Sequence, residues 1–158
     1  GARGEVGAPG GAALGALADL GCGSGVLAIA AAKLGFGPVT AFDNEAAAVE
    51  ATLANAAVNR VELESVERYD LRTRRAPFAS VTVANLVRPL LLTVAELWRA
   101  PGELRGEPGE LLPEQPETLI VSGLLEGEED EVAAAFAPLH ERRRQRLQGW
   151  SALLLTRP

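Results

Sequence analysis

The sequence predicts an α/β fold in which a mostly parallel, twisted sheet carries helices on both faces. Three observations lead there. Apolar stretches of strand length alternate with stretches of helical period along the chain, the pattern of a parallel sheet wrapped by its crossover helices. The glycine-rich run DLGCGSG, residues 19 to 25, follows the first apolar stretch and opens the first helical one, where open parallel sheets hold ligands. The end of the chain, RRRQRLQGWSALLLTR, reads as two strands around a tight turn at Gly149, an antiparallel hairpin at one edge.

Each element has a local reason. Residues 1 to 15 are rich in Gly and Pro and are expected to be weakly ordered or disordered; the folded domain spans 16 to 158. Ala16 to Leu20 make a short buried strand. Gly25 to Leu34 form a helix with Val26, Leu27, Ile29, Ala30 and Leu34 at helical spacing and Gly35 as its stop. Pro38 to Phe42 are a second strand. Asn44 is placed to cap a helix through Val58, in which Val49, Leu53 and Ala57 fall four apart. Val61 to Arg68 are a weaker third strand and Ser80 to Ala84 a clear fourth. Residues 89 to 98 are helical, Leu119 to Ser122 are the fifth strand, and Glu128 to Leu139 are a helix with Val132, Phe136 and Leu139 on one face. With the hairpin the sheet has seven strands and is Rossmann-like. Residues 101 to 117 form a Pro/Gly/Glu-rich acidic loop, long for this class.

Composition narrows the function. The formal net charge of -6 gives a long-range field of the wrong sign for general nucleic-acid or anionic-membrane binding. Alternation along a strand would split the arginines of HERRRQR between two surfaces, which suits a solvated sheet edge; Arg72, Arg74 and Arg75 lie nearer the presumed acceptor side. A single cysteine, Cys22, excludes an internal disulfide, and no Cys/His cluster has metal-ligand spacing; a reducing compartment, the cytoplasm, and no metal are expected. No apolar run reaches the ~18 residues of a membrane span, and GARGEVGAPGG lacks the apolar core of a signal peptide.

The glycine run selects among ligands. A triphosphate loop needs G-x-x-x-x-G-K-[ST], which is absent, and a dinucleotide fingerprint needs glycine where this chain has Val26. What remains is D-x-G-x-G-x-G, in which bare backbone lets a ligand lie close and the leading carboxylate adds negative charge. A partly cationic adenosine ligand without phosphate fits that mix, which describes S-adenosylmethionine. Asp43 ends the second strand 22 residues after Gly21, where an acid can accept both ribose hydroxyls; capping of the next helix is its other reading. Asp70 lies in the loop that would reach the adenine, or is a solvated carboxylate. Asn85 ends the fourth strand over the switch point of the sheet, or caps a turn. His140 reads as a surface or capping residue, and Cys22, Trp98 and Trp150 as packing.

At these residues the chain resembles the catalytic domain of the ribosomal protein L11 methyltransferases, a class I, S-adenosylmethionine-dependent group. The resemblance runs from about Leu17 to the end and rests on DLGCGSGVLAIAAAKLG, FDNEAAAVEATLANAAVN, VANL, SGLLEGEEDEVAAAF and the Gly149-Trp150 hairpin. It implies a class I methyltransferase fold and an enzyme that binds S-adenosylmethionine, releases S-adenosylhomocysteine and uses no metal. By the resemblance Gly21, Asp43 and Asn85 match cofactor-contacting positions, with Asn85 also receiving the acceptor nitrogen as the catalytic candidate; with the glycine turn and the loops read above, the expected cofactor set is Asp19, Gly21, Cys22, Gly23, Gly25, Asp43, Asn44, Asp70 and Asn85. The acceptor implied is a lysine or N-terminal amine of ribosomal protein L11 or of another protein. Two alternatives stay open: a domain that binds the cofactor without transferring, and a methyltransferase with a different protein or small-molecule acceptor.

Overall fold

The computed structural model describes residues 13–100 and 115–158. Most of the expected N-terminal segment 1–15 and of the acidic loop 101–117 lies outside the described residues. Seven strands and four helices are described: β1 (Leu17–Leu20), α1 (Val26–Leu34), β2 (Val39–Asp43), α2 (Ala46–Val58), β3 (Ser65–Arg68), β4 (Val81–Asn85), α3 (Arg88–Arg99), β5 (Thr118–Leu125), α4 (Glu129–Ala135), β6 (His140–Leu147) and β7 (Trp150–Thr156). The sheet order is β3-β2-β1-β4-β5-β7-β6. The first five strands in that order are parallel, whereas β7 runs antiparallel to both β5 and β6. This is the expected seven-stranded, mostly parallel Rossmann-like sheet with its C-terminal antiparallel hairpin. The hairpin closes through Gln148 and Gly149, at φ 51° and 82°, the two-residue left-handed turn whose twist matches the strands.

The central strands β1, β2 and β4 are buried on both sides because their alternate residues enter different cores. Leu17, Val39, Ala41 and Val83 pack with Ala28 and Ala31 of α1. Ala18, Leu20, Ala84, Leu119, Val121, Leu153 and Leu155 face the opposite way, into a core with Leu91, Val94 and Trp98 of α3 and with Val132 and Phe136 of the α4 segment. Trp98 is fully buried; its indole N–H donates to the Ala76 carbonyl at 2.8 Å, and its ring meets Phe78 and Phe136 edge to face. Burying each large apolar side chain contributes about 1.5–3 kcal/mol, so this cluster anchors the β4-β5-β7 half of the sheet.

Several local expectations are corrected. Of the residues noted at helical spacing in the first helix, only Ile29 is buried; Val26, Leu27, Ala30 and Leu34 are exposed, and Ala28 and Ala31 take the core positions. In α2 the buried residues are Thr52 and Ala56, one position before the expected Leu53 and Ala57. Both helices are alanine-rich and lie close to the sheet, where small side chains fit best. Asn44 does not cap α2: Glu45 holds the cap position, and its N–H is met by the Asp43 carboxylate. The fourth helix ends at Ala135, well short of Leu139. Trp150 is about half exposed rather than packed.

Candidate active site at the carboxyl ends of the strands

Parallel strands all end on the same side of the sheet, so the turns after β1, β2, β3 and β4 meet there. The sheet reverses direction of winding between β1 and β4, which leaves a crevice at that point. The first turn is shaped by its glycines. A Cβ at Gly25, at φ +86°, would sit 2.8 Å from Thr52 Cγ2 and 3.1 Å from Thr52 Cα, so α2 approaches the turn too closely for any other residue. α2 also grips the turn through its polar side chains: the Thr52 hydroxyl donates to the Gly23 carbonyl at 3.0 Å, and the Asn55 amide donates to the Ser24 carbonyl at 2.8 Å.

Two carboxylates fix the turn from either side. Asp19 is fully buried in β1, and its Oδ2 accepts the Ala28 N–H at 3.1 Å. It thereby supplies the first turn of α1 with the acceptor that Gly25, having no side chain, cannot provide. Among the described residues its Oδ1 has no hydrogen-bond partner. Burial, aided by the nearby Asp43 charge and opposed by the Ala28 hydrogen bond, pushes the Asp19 carboxyl up to about 6. Asp43 ends β2; its Oδ2 accepts the Gly23 N–H at 2.9 Å and its Oδ1 the Glu45 N–H at 3.0 Å. Each oxygen keeps a lone pair for a further donor.

Asp43 stands at the mouth of a cavity of about 260 Å³ lined also by Gly21, Asn44, Tyr69, Asp70 and Leu86. Asp70 accepts both the backbone N–H and the guanidinium Nε of Arg72, which hold its carboxyl below the usual carboxylate range. The apolar wall comes from Leu86 and Leu90, and a Cβ at Gly21 would lie 2.4 Å from Leu86 Cδ2. Leu86 therefore packs directly on the Gly21 backbone, and the carboxylates of Asp43 and Asp70 together with Leu71, Leu86 and Leu90 line the space beside that contact.

A second cavity, of about 610 Å³, opens on the other side of the β4 end. Asn85, Ser122 and Gly123 form its floor, and Gln145, Arg146, Leu147 and Trp150 of the hairpin form a wall. Behind that wall the buried carboxylate of Glu129 accepts from Arg146 Nε at 2.6 Å and from the Ser151 hydroxyl at 2.7 Å. These contacts, with the Gly127 N–H, hold its carboxyl far below the usual range. The larger cavity thus carries a cation and neutral polar groups but no carboxylate among its lining residues.

The sequence-derived candidates therefore separate into three groups. Gly21, Asp43, Asn44 and Asp70 line the smaller cavity. Asn85 lines the larger one. Asp19, Cys22, Gly23 and Gly25 shape the turn beneath and beside the slot: Asp19 and Cys22 are buried, and Gly25 is pressed against Thr52. Sequence reasoning missed Thr52 and Asn55, polar residues three apart in a helix whose other residues, Glu50 aside, are apolar, which is the signal that could have found them. It also missed Leu86, Leu90 and Tyr69, whose role depends on how strands meet. The arginines of the edge strand are partly spent on ion pairs: Arg144 with Asp130 and Glu141, Arg146 with Glu129.

Comparison with known proteins places this geometry among methyltransferases. A family model described as ribosomal protein L11 methyltransferase (PrmA) matches residues 12–158. A ribosomal protein L11 methyltransferase of Bordetella parapertussis is 42% identical over 122 residues, covering 77% of this chain and 35% of the relative. One from Cupriavidus metallidurans is 41% identical over 149 residues, covering 89% of this chain and 42% of its own length. The chain thus spans less than half the length of these curated relatives. The crystal structure of a ribosomal protein L11 methylase from Lactobacillus delbrueckii subsp. bulgaricus superposes with TM-score 0.72 at 28% identity, covering 90% of this chain and 69% of that one. An RNA methyltransferase from Salinibacter ruber, solved in complex with S-adenosyl-L-homocysteine, shares the fold at TM-score 0.63 and 18% identity, covering 90% of this chain and 80% of its own. Among the described residues no helix is long and apolar enough to cross a membrane.

Proposed function

The chain belongs to the ribosomal protein L11 methyltransferase family, and from that premise we propose that it transfers a methyl group from S-adenosylmethionine to an amine, the lysine side chains or N-terminal amine of ribosomal protein L11. The carrying observation is the end of β4. Asn85 and Leu86 are consecutive, yet Asn85 lines the larger cavity and Leu86 the smaller. Two cavities that share one wall two residues thick suit a donor and an acceptor that react with each other and with little else.

The smaller cavity fits the donor. Gly21 lets Leu86 close down on the glycine turn as the apolar wall, Asp43 has lone pairs for a ribose diol, and Asp70 can accept from an adenine amino group. When bound, the sulfonium donor supplies a methyl already activated for in-line displacement, so no strong acid or metal need be invoked for this chemistry. The chain's own task is to align an amine and exclude water. A lysine attacks only when neutral, and reaching that form at pH 7 from a pKa of ~10.4 costs about 5 kcal/mol in water. The acceptor cavity lowers that cost through partial desolvation: no carboxylate is among its lining residues to hold the amine charged, and the charge of Arg146 is balanced by Glu129. The Asn85 carbonyl can then accept one amine hydrogen and leave the lone pair directed at the methyl. The amine pair forms the new N–C bond, the C–S pair stays on sulfur, and the surplus proton leaves the product ammonium to solvent.

Incubation with isotopically labelled S-adenosylmethionine and ribosomal protein L11, read by peptide mass spectrometry, tests the reading. Label on L11 amines that Asn85→Ala reduces at least tenfold is the expected result. Donor binding without label on L11 would overturn the acceptor assignment and leave a domain that binds the donor alone or serves another acceptor.

A further inference from the structure

Resting on the donor and acceptor reading above, we infer that Gly123 is a positioning residue that holds the Asn85 amide at the boundary between the two cavities. β5 pairs regularly with β7 up to Val121, then shifts register before Leu124. The displaced residues Ser122 and Gly123 lie directly under the end of β4, where the Ser122 carbonyl accepts the Leu86 N–H at 3.1 Å. Gly123 is left-handed, at φ +82°. A Cβ there would stand 2.7 Å from Asn85 Oδ1, 2.9 Å from the Leu86 carbonyl oxygen and 3.3 Å from the Leu86 carbonyl carbon. Two of these neighbours are backbone, so no rotamer change relieves the overlap; the end of β4 has to move.

Asn85 depends on this contact. Among the described residues its side-chain amide makes no hydrogen bond, and it is exposed on the cavity floor. Its direction is therefore set by packing against the bulge instead of by a polar partner. A bulge that re-aims a neighbouring side chain beside a site is a recurrent use of this irregularity. Gly127 serves as an internal control: it is also left-handed, at φ +97°, but a Cβ there would meet nothing within 4 Å.

Calorimetric titration of the intact chain with S-adenosylhomocysteine and with sinefungin separates the roles. Sinefungin carries an amine where the donor carries its methyl-sulfonium, so its amine faces Asn85; S-adenosylhomocysteine has nothing there. The ratio of the two dissociation constants reads the Asn85 contact without any turnover. Gly123→Ala is expected to reduce the sinefungin preference about tenfold, the loss of one hydrogen bond to a charged group; any loss of affinity that the displaced Leu86 causes is shared by both ligands and cancels from the ratio. Asn85→Ala should reduce the preference equally, and Gly127→Ala should leave it intact. An unchanged preference in Gly123→Ala, or an equal loss in Gly127→Ala, would overturn the inference while sparing the donor reading. Failure of the wild-type chain to bind S-adenosylhomocysteine would overturn the donor reading and the inference with it. Should Gly123→Ala not fold, the wild type carries the test by NMR. Nuclear Overhauser contacts between the Gly123 α protons and the Asn85 side-chain amide, and a shift of that amide with sinefungin only, are expected; absence of either overturns the inference.

Discussion

One oxygen of Asp43 accepts the Gly23 N–H at 2.9 Å while the other accepts the Glu45 N–H at 3.0 Å. A single carboxylate therefore ties the glycine turn to the start of α2 and still presents lone pairs to the smaller cavity. Removing it should cost both roles. Asp43→Ala is expected to weaken S-adenosylhomocysteine binding at least tenfold, since a hydrogen bond to a charged group contributes about 1.5–3 kcal/mol, and to lower the melting temperature modestly. Asp43→Asn, which keeps one acceptor, should lie between the two.

Gly25 tests whether the turn is conformationally required. Gly25→Ala places a Cβ 2.8–3.1 Å from Thr52 atoms at φ +86°. Left-handed strain in a residue with a side chain costs on the order of 1–3 kcal/mol, and displacement of α2 adds to it. Urea denaturation should show a loss of more than about 2 kcal/mol, partly recovered in Gly25→Ala/Thr52→Ser, which removes the Cγ2 but keeps the hydroxyl.

The Asp19 carboxyl, raised to about 6 by burial, makes the folded state bind a proton that the unfolded chain, with its ordinary value near 4, has released. Stability from this group is therefore full below about pH 4 and falls as pH rises toward and through 6. Asp19→Asn removes the ionisation. The stability of the variant relative to wild type should rise between pH 4 and 7 by as much as about 3 kcal/mol. A difference independent of pH would show that Asp19 titrates normally.

Glu129 has the opposite sign. Its carboxyl is held far down by Arg146 first and by Ser151 next, so its stabilisation is full above the ordinary glutamate value and is lost as pH falls below it. Glu129→Gln should show a shallower loss of stability in acid than wild type. It should also loosen the hairpin, detected as faster amide exchange across the β6 and β7 ladder, because the amide oxygen left for Arg146 and Ser151 carries no charge and the Gly127 N–H then faces an NH2 group.

What could be read from the sequence divides along physical lines. β1, the glycine turn, the Gly35 stop of α1 and the Gly149 hairpin were legible because backbone conformation dictates residue type there: Gly25, Gly35 and Gly149 all have positive φ. The inner faces of α1 and α2 were not. In VLAIAAAKL and AAAVEATLANAAV almost every residue is apolar or small, so period alone cannot tell Ala28 and Ala56, which are buried, from Leu34 and Leu53, which are exposed. Asp43 and Asn85 were legible as strand-end polar residues. Thr52 and Gly123 were not, since each acts through a partner distant in sequence: Thr52 on Gly23, and Gly123 on Asn85.

The central claim is that the slot bounded by Gly21, Asp43 and Leu86 holds the methyl donor. Calorimetric titration of the purified chain with S-adenosylmethionine and S-adenosylhomocysteine, beside Asp43→Ala, tests it most directly. One-to-one binding of both ligands that Asp43→Ala weakens at least tenfold is the predicted result; a folded chain that binds neither, or a variant that binds as well as wild type, would contradict it.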